Sequence, residues 1–226
     1  MTMNRGRVEA FSDGVFAFAI TLLVVTISQP DDYQHLLHGL STRLPSLAAY
    51  VVSFAIIGIM WLNHHSVFAH FAKVDRGVVF FNLLLLMTVA FLPYPTGVLG
   101  QALARGEGER TAAVFYGITM TANALAWTCL WLYASYGRRL LSSSFPESER
   151  RMATLLFNAG AVVYVAATGL AFVNAYAFLV LQGLLAVYYM LDPLSRRADR
   201  GKPRGDLTME SREALSGDDQ HRRGPS

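Results

Sequence analysis

Apolar residues gather into six long runs, at about 14 to 28, 46 to 68, 77 to 97, 111 to 137, 152 to 172 and 174 to 192, with short polar stretches between them. Most approach the ~20 residues that a helix needs to cross the hydrocarbon core, and the first must borrow length from the polar turn before it. The pattern predicts an all-α integral membrane protein with six transmembrane helices. Pro30, Pro45 and Pro146 fall in connections, and Phe172-Val173-Asn174-Ala175 leaves room only for a tight turn between the fifth and sixth helices. After Asp192-Pro193 the chain turns to Arg, Asp, Glu, Gly and Ser. With so few apolar residues to bury, 194–226 is expected to be a disordered tail, set apart from a membrane domain over 1–193.

Composition agrees with this division. Hydrophobic residues make up 53% of the chain and charged residues 15%, against roughly 25% charged in ordinary soluble domains. Charge also orients the spans. If the N-terminus is cytoplasmic, the inside segments hold sixteen Lys and Arg residues, and the outside loops hold only Arg43, Arg105 and Arg110. This bias predicts that both termini are cytoplasmic, and it persists when the far tail is discounted. Topology then accounts for the basic pI near 9.1, and no nucleic-acid partner is implied. The first run lacks a small-residue cleavage site and is expected to remain in the mature chain. The lone Cys129 excludes a disulfide within the chain.

The most distinctive chemistry lies at the start. Arg7, Glu9 and Asp13 lead without a break into Val15 to Ile27, and ionisable groups at the mouth of a membrane helix normally face protein or water and mark function. Arg7-x-x-x-Phe11-Ser12-Asp13, followed by Gly14-Val15-Phe16-Ala17 and Ile20-Thr21-Leu22-Leu23-Val24, closely resembles the first-helix signature of the transmembrane protein 175 family of potassium channels. The resemblance implies a potassium-preferring cation channel in the bacterial plasma membrane, with potassium as the permeant ion and no cofactor. Only one copy of the signature is present, whereas animal members carry two six-helix repeats. One first helix cannot enclose a pore, so the resemblance implies a homo-oligomer, as in the tetrameric bacterial-type members.

At about 100° per residue, with Arg7 at zero, Phe11 falls near about 40°, Gly14 about 340°, Phe18 about 20°, Leu22 about 60° and Val25 about 0°. They form one stripe. Ser12 and Asp13 lie off it and should turn toward the other helices of their own subunit. Taken alone, such a stripe reads as ordinary helix packing. The resemblance implies instead that the first helices surround a central pore and that Phe18, Leu22 and Val25 form its constrictions, although an aliphatic residue is usual at the first of these. An apolar ring gates by dewetting and cannot coordinate potassium. There is no Thr-Val-Gly-Tyr-Gly filter in the chain. Thr21, at the margin of the stripe, is a candidate for cation preference; its alternative is a hydroxyl bonded back to a carbonyl one turn earlier.

The second helix carries Trp61-Leu62-Asn63-His64-His65. Trp61, His64, His65 and Phe68 share a face. Neighbouring histidines diverge by about 100°, and no Glu or Cys at ligand spacing completes a metal site. A polar cluster joining Ser12, Asp13, Trp61, His64 and Asn82 at the cytoplasmic side is expected instead, and the resemblance extends to the Trp and His here. It also covers Phe91-Leu92-Pro93, where a proline ending the third helix is a sufficient account. No carboxylate pair, Ser-His-Asp set or phosphate loop supports an enzyme. A proton-coupled transporter using Asp13 or His64, and a non-conducting structural membrane protein, are the competing readings.

Overall fold

The computed structural model describes residues 4–29, 34–136, 140–143 and 145–191. Among them are eight helices: α1 (Arg5–Val25), α2 (Leu36–Ser41), α3 (Leu44–Ala69), α4 (Arg76–Phe91), α5 (Pro93–Arg105), α6 (Glu109–Ser135), α7 (Glu147–Ala171) and α8 (Ala175–Leu191). The expected tail over 194–226 lies outside the described residues, as do Pro30 and two of the basic residues in the charge bias, Arg138 and Arg139. Met1–Val187 forms one compact unit, whose packing is described below; of the second, Tyr188–Ser226, only the last turn of α8 is described.

Five stretches are long and apolar enough to cross a membrane: α1, α3, α4 with α5, α6 and α7; Ala175–Tyr188 is a shorter apolar helix. The signature is part of α1 itself, which gives that helix 21 residues and a length of about 30 Å. Pro93 does not end the third run. Leu92 keeps helical angles (φ −52°, ψ −37°), and a proline at the first position of a helix gives up only an N–H that would be unpaired there. The chain therefore breaks its ladder at Leu92 and continues as α5 to Arg105. The six-residue α2 has no counterpart among the expected elements, because so short a helix carries no readable period.

Helix α6 runs through the middle of the packing. Fourteen of its residues are buried, and it lies against α4, α5 and α7. At the end where α1 begins, Val8, Phe68, Phe71, Val78, Trp131 and Leu141 belong to one apolar cluster drawn from six segments, four helices and two connections. At the opposite end α3 and α5 approach closely: a Cβ on Gly100 would lie 3.0 Å from the Ser46 Cα, and Ser46 Oγ donates to the Gly100 carbonyl at 2.8 Å. Small residues allow such backbone contact between membrane helices. The turn from α7 to α8 is tight as expected, closed by Asn174 N–H to the Leu170 carbonyl at 3.1 Å and by Asn174 Oδ1 accepting from the Ala177 N–H at 2.9 Å.

Candidate functional site

Helix α1 has two unlike faces. Its back, Val8, Ser12, Phe16, Ala19 and Leu23, recurs every three or four residues and is buried against α3, α4 and α5. Ser12 sits in the middle of a three-helix polar chain. His64 Nε2 lies 2.9 Å from Asn82 Oδ1, Asn82 Nδ2 donates to Ser12 Oγ at 3.0 Å, and Ser12 Oγ donates to the Val8 carbonyl at 2.9 Å. Because the Asn82 amide spends its donor on Ser12, its oxygen must accept, and His64 carries a proton on Nε2. All three side chains are fully or almost fully buried. The His64 ring stacks on Phe68 with centroids 4.2 Å apart and meets Phe16 edge-on at 5.4 Å. A buried chain whose members are each paired specifies one packing of α1, since leaving any one unpaired is costly.

Asp13 is not part of that chain. Its Oδ1 accepts from Trp61 Nε1 at 2.8 Å, and both residues are exposed on this subunit. The single cluster expected from the sequence is thus split into a buried relay (Ser12, Asn82, His64) and a separate surface pair (Asp13, Trp61). Arg7, Phe11, Asn63 and His65 are exposed and outside both. For Asn63 and His65 the reason is helical geometry, since each is turned about 100° from His64. Among the described residues no group of three or more His, Cys, Asp or Glu side chains could hold a metal ion.

The front of α1 carries Phe18 and Val25, exposed by 64% and 76%, with Thr21 exposed between them; Leu22 is half-buried. Leu22 leans toward the back face, next to fully buried Leu23. The Thr21 hydroxyl donates to the Phe18 carbonyl at 2.8 Å, the one-turn back-bond weighed in the sequence. Sequence reasoning missed two features. Arg5, two residues ahead of the signature, reaches the far end of α3. Ser53, Thr96 and Tyr116 form a buried hydroxyl cluster, with Thr96 Oγ1 donating to Ser53 Oγ at 2.9 Å and Ser53 Oγ 2.9 Å from Tyr116 Oη. The available signal was a hydroxyl in each of three apolar runs.

The family model described as endosomal/lysosomal potassium channel TMEM175 matches residues 7–93, the stretch from the signature arginine to Pro93. A protein of Streptomyces collinus named a potassium channel is 47% identical over 186 residues, which cover 81% of this chain and 90% of that protein. The chain belongs to the TMEM175 family. This is a family of ion channels, and enzyme chemistry is no part of the reading. A protein of Chamaesiphon minutus, also named a potassium channel, is 38% identical over 193 residues, 82% of this chain and 93% of that one. The crystal structure of a lysosomal potassium-selective channel TMEM175 homolog from Chamaesiphon minutus superposes with a TM-score of 0.74 at 36% identity, covering 83% of this chain and 96% of that chain. The human endosomal/lysosomal proton channel TMEM175 is 40% identical over 101 residues, 40% of this chain but only 20% of that larger protein.

Proposed function

We propose that the chain is a potassium-preferring cation channel of the bacterial cell membrane, assembled as a homotetramer with both termini cytoplasmic and α1 of each copy lining the central path. The supporting observation is the front of α1: Phe18 and Val25, seven residues apart, are among its most exposed large side chains, while the back is held in place by the buried relay. In the tetramer these positions, with the half-buried Leu22, form apolar rings that close by dewetting. Thr21 biases the path toward potassium. With its proton committed to the Phe18 carbonyl, the hydroxyl can offer only oxygen lone pairs to whatever passes, which suits a cation. Phe18 supplies a bulkier first ring than an aliphatic residue and closes the path more completely.

Proton conduction is the second reading, favoured by the proton channels named among the animal relatives. Flux of potassium, sodium and protons into liposomes holding the purified protein separates the two. Potassium flux exceeding that of sodium and protons is the expected result. Proton flux alone would establish the second reading, and absence of all three with an intact oligomer would exclude both.

A further inference from the structure

We propose that Arg5 is a positioning residue for the conducting helix, a latch that ties the first turn of α1 to the two connections at the same end of the molecule and so biases opening; this rests on the channel reading given above. Arg5 Nη1 donates to the Ala69 carbonyl at 3.3 Å and to the Phe71 carbonyl at 3.1 Å. These carbonyls lie at and just beyond the C-terminal end of α3, where the last helical carbonyls have no partner within the helix and carry its partial negative charge. Arg5 Nε lies 3.5 Å from Glu9 Oε2 one turn on, which keeps the guanidinium from swinging away.

The segment that Arg5 grips is itself fastened. Phe71 and Leu141 form an isolated antiparallel bridge, with Ala72 N–H donating to the Leu140 carbonyl at 2.9 Å and Ser142 N–H to the His70 carbonyl at 2.9 Å. The connection from α3 to α4 is thereby stitched to the one from α6 to α7, and Arg5 adds α1 to the pair. Just beyond, Asp75 caps α4 through the Val78 N–H at 2.9 Å and accepts from Tyr133 Oη at 3.0 Å. Val8, one turn past Arg5, is buried in the apolar cluster that Phe71 and Leu141 share.

Arg5 and Ser12 therefore hold α1 at two points about two turns apart, enough to fix both its rotation and its slide. The latch lies about 20 Å along the helix from Phe18. At that distance it cannot touch a passing ion in the constriction, but it can favour one orientation of the stripe over another. Movement of the stitched connections is passed to α1 through the same bonds.

The test uses the full chain, with Arg5→Ala and Arg5→Lys, in planar bilayers and by amide hydrogen exchange. In Arg5→Ala, which loses both carbonyl contacts and the Glu9 pair, the open probability changes by about threefold or more, while single-channel current and potassium-to-sodium ratio stay as in the parent. Arg5→Lys, whose ammonium can still donate to one carbonyl, recovers at least part of the change. Exchange at 71–74 and in the first turn of α1 speeds up in Arg5→Ala. Unaltered exchange removes the latch, and faster exchange with unaltered open probability removes its effect on opening. A changed single-channel current or ion ratio places Arg5 in the path and overturns the positioning role. If the parent chain carries no current, the channel reading fails, and exchange alone still decides the latch.

Discussion

Helices α1 and α7 look alike by length and hydropathy, and most of each is left uncovered by its own chain: 28% of the α1 span and 6% of the α7 span is buried. What separates them is the face that is covered. Behind α1 stand the Ser12–Asn82–His64 chain and the Arg5 contacts, which reach α3, α4 and the α3–α4 connection. Behind α7 the polar contacts are only part-buried. Thr154 accepts from Trp131 Nε1 at 2.9 Å, Thr168 meets Thr121 at 3.0 Å, and Ala167 and Ala171 are its only buried residues. Its outward side is mainly aliphatic, with Leu155, Val162 and Val165 exposed, and the one amide among them, Asn158, donates back to the Thr154 carbonyl at 2.8 Å, as suits lipid contact. Exposure alone does not separate a lipid-facing helix from one lining a path. A helix whose orientation is fixed by buried polar bonds has one face specified for something, and in α1 that face carries Phe18, Thr21 and Val25.

Asparagine substitution on the two helices breaks the comparison most sharply. Phe18→Asn should wet the constriction and raise cation flux by about tenfold or more, a barrier change of ~1.4 kcal/mol. Val165→Asn should leave flux per oligomer unchanged and lower only the yield of inserted protein. Equal effects at the two sites in liposome flux would erase the distinction.

The fixed back face is the next target. Asn82→Ala strands the His64 donor and the Ser12 acceptor in a buried setting and should cost roughly 1–3 kcal/mol, read as a lower thermal midpoint in detergent. Asp13→Ala should cost less, because the Asp13–Trp61 pair is exposed and water can replace either partner. Equal losses would mean that the Asp13–Trp61 pair is buried in the assembly.

Thr21→Val should have the smallest effect, lowering the potassium-to-sodium flux ratio with little change in total flux. A ratio unchanged in Thr21→Val would leave the hydroxyl with its back-bond to Phe18 as its whole role.

Much of this was legible in the chain. The apolar runs gave the all-helical membrane class, and the angular stripe picked out Phe18 and Val25 as a face distinct from Ser12. What could not be read followed from geometry that depends on tertiary contact. Leu22 shares the stripe's angle within about 60°, yet it is half-buried because its neighbour Leu23 is drawn into the core. Asp13 and Ser12 are adjacent in sequence, so nothing local foretells that one joins a buried chain and the other a surface pair. Pro93 reads as a stop because proline lacks an N–H, but Leu92 remains helical and the chain runs on. Arg5 escaped notice because its partners are carbonyls 64 and 66 residues away, and carbonyls leave no mark in a sequence.

The central claim, that the front of α1 faces a shared ion path, is tested most directly by thiol accessibility. In a Cys129→Ser background, which removes the exposed native thiol, cysteine replaces Val25 on α1 or Leu155 on α7, and a small cationic thiol reagent is applied during potassium current recording. Modification of Val25→Cys should abolish most of the current, and Leu155→Cys should conduct as before. Complete modification of Val25→Cys, verified by intact mass, with current unchanged would contradict the account.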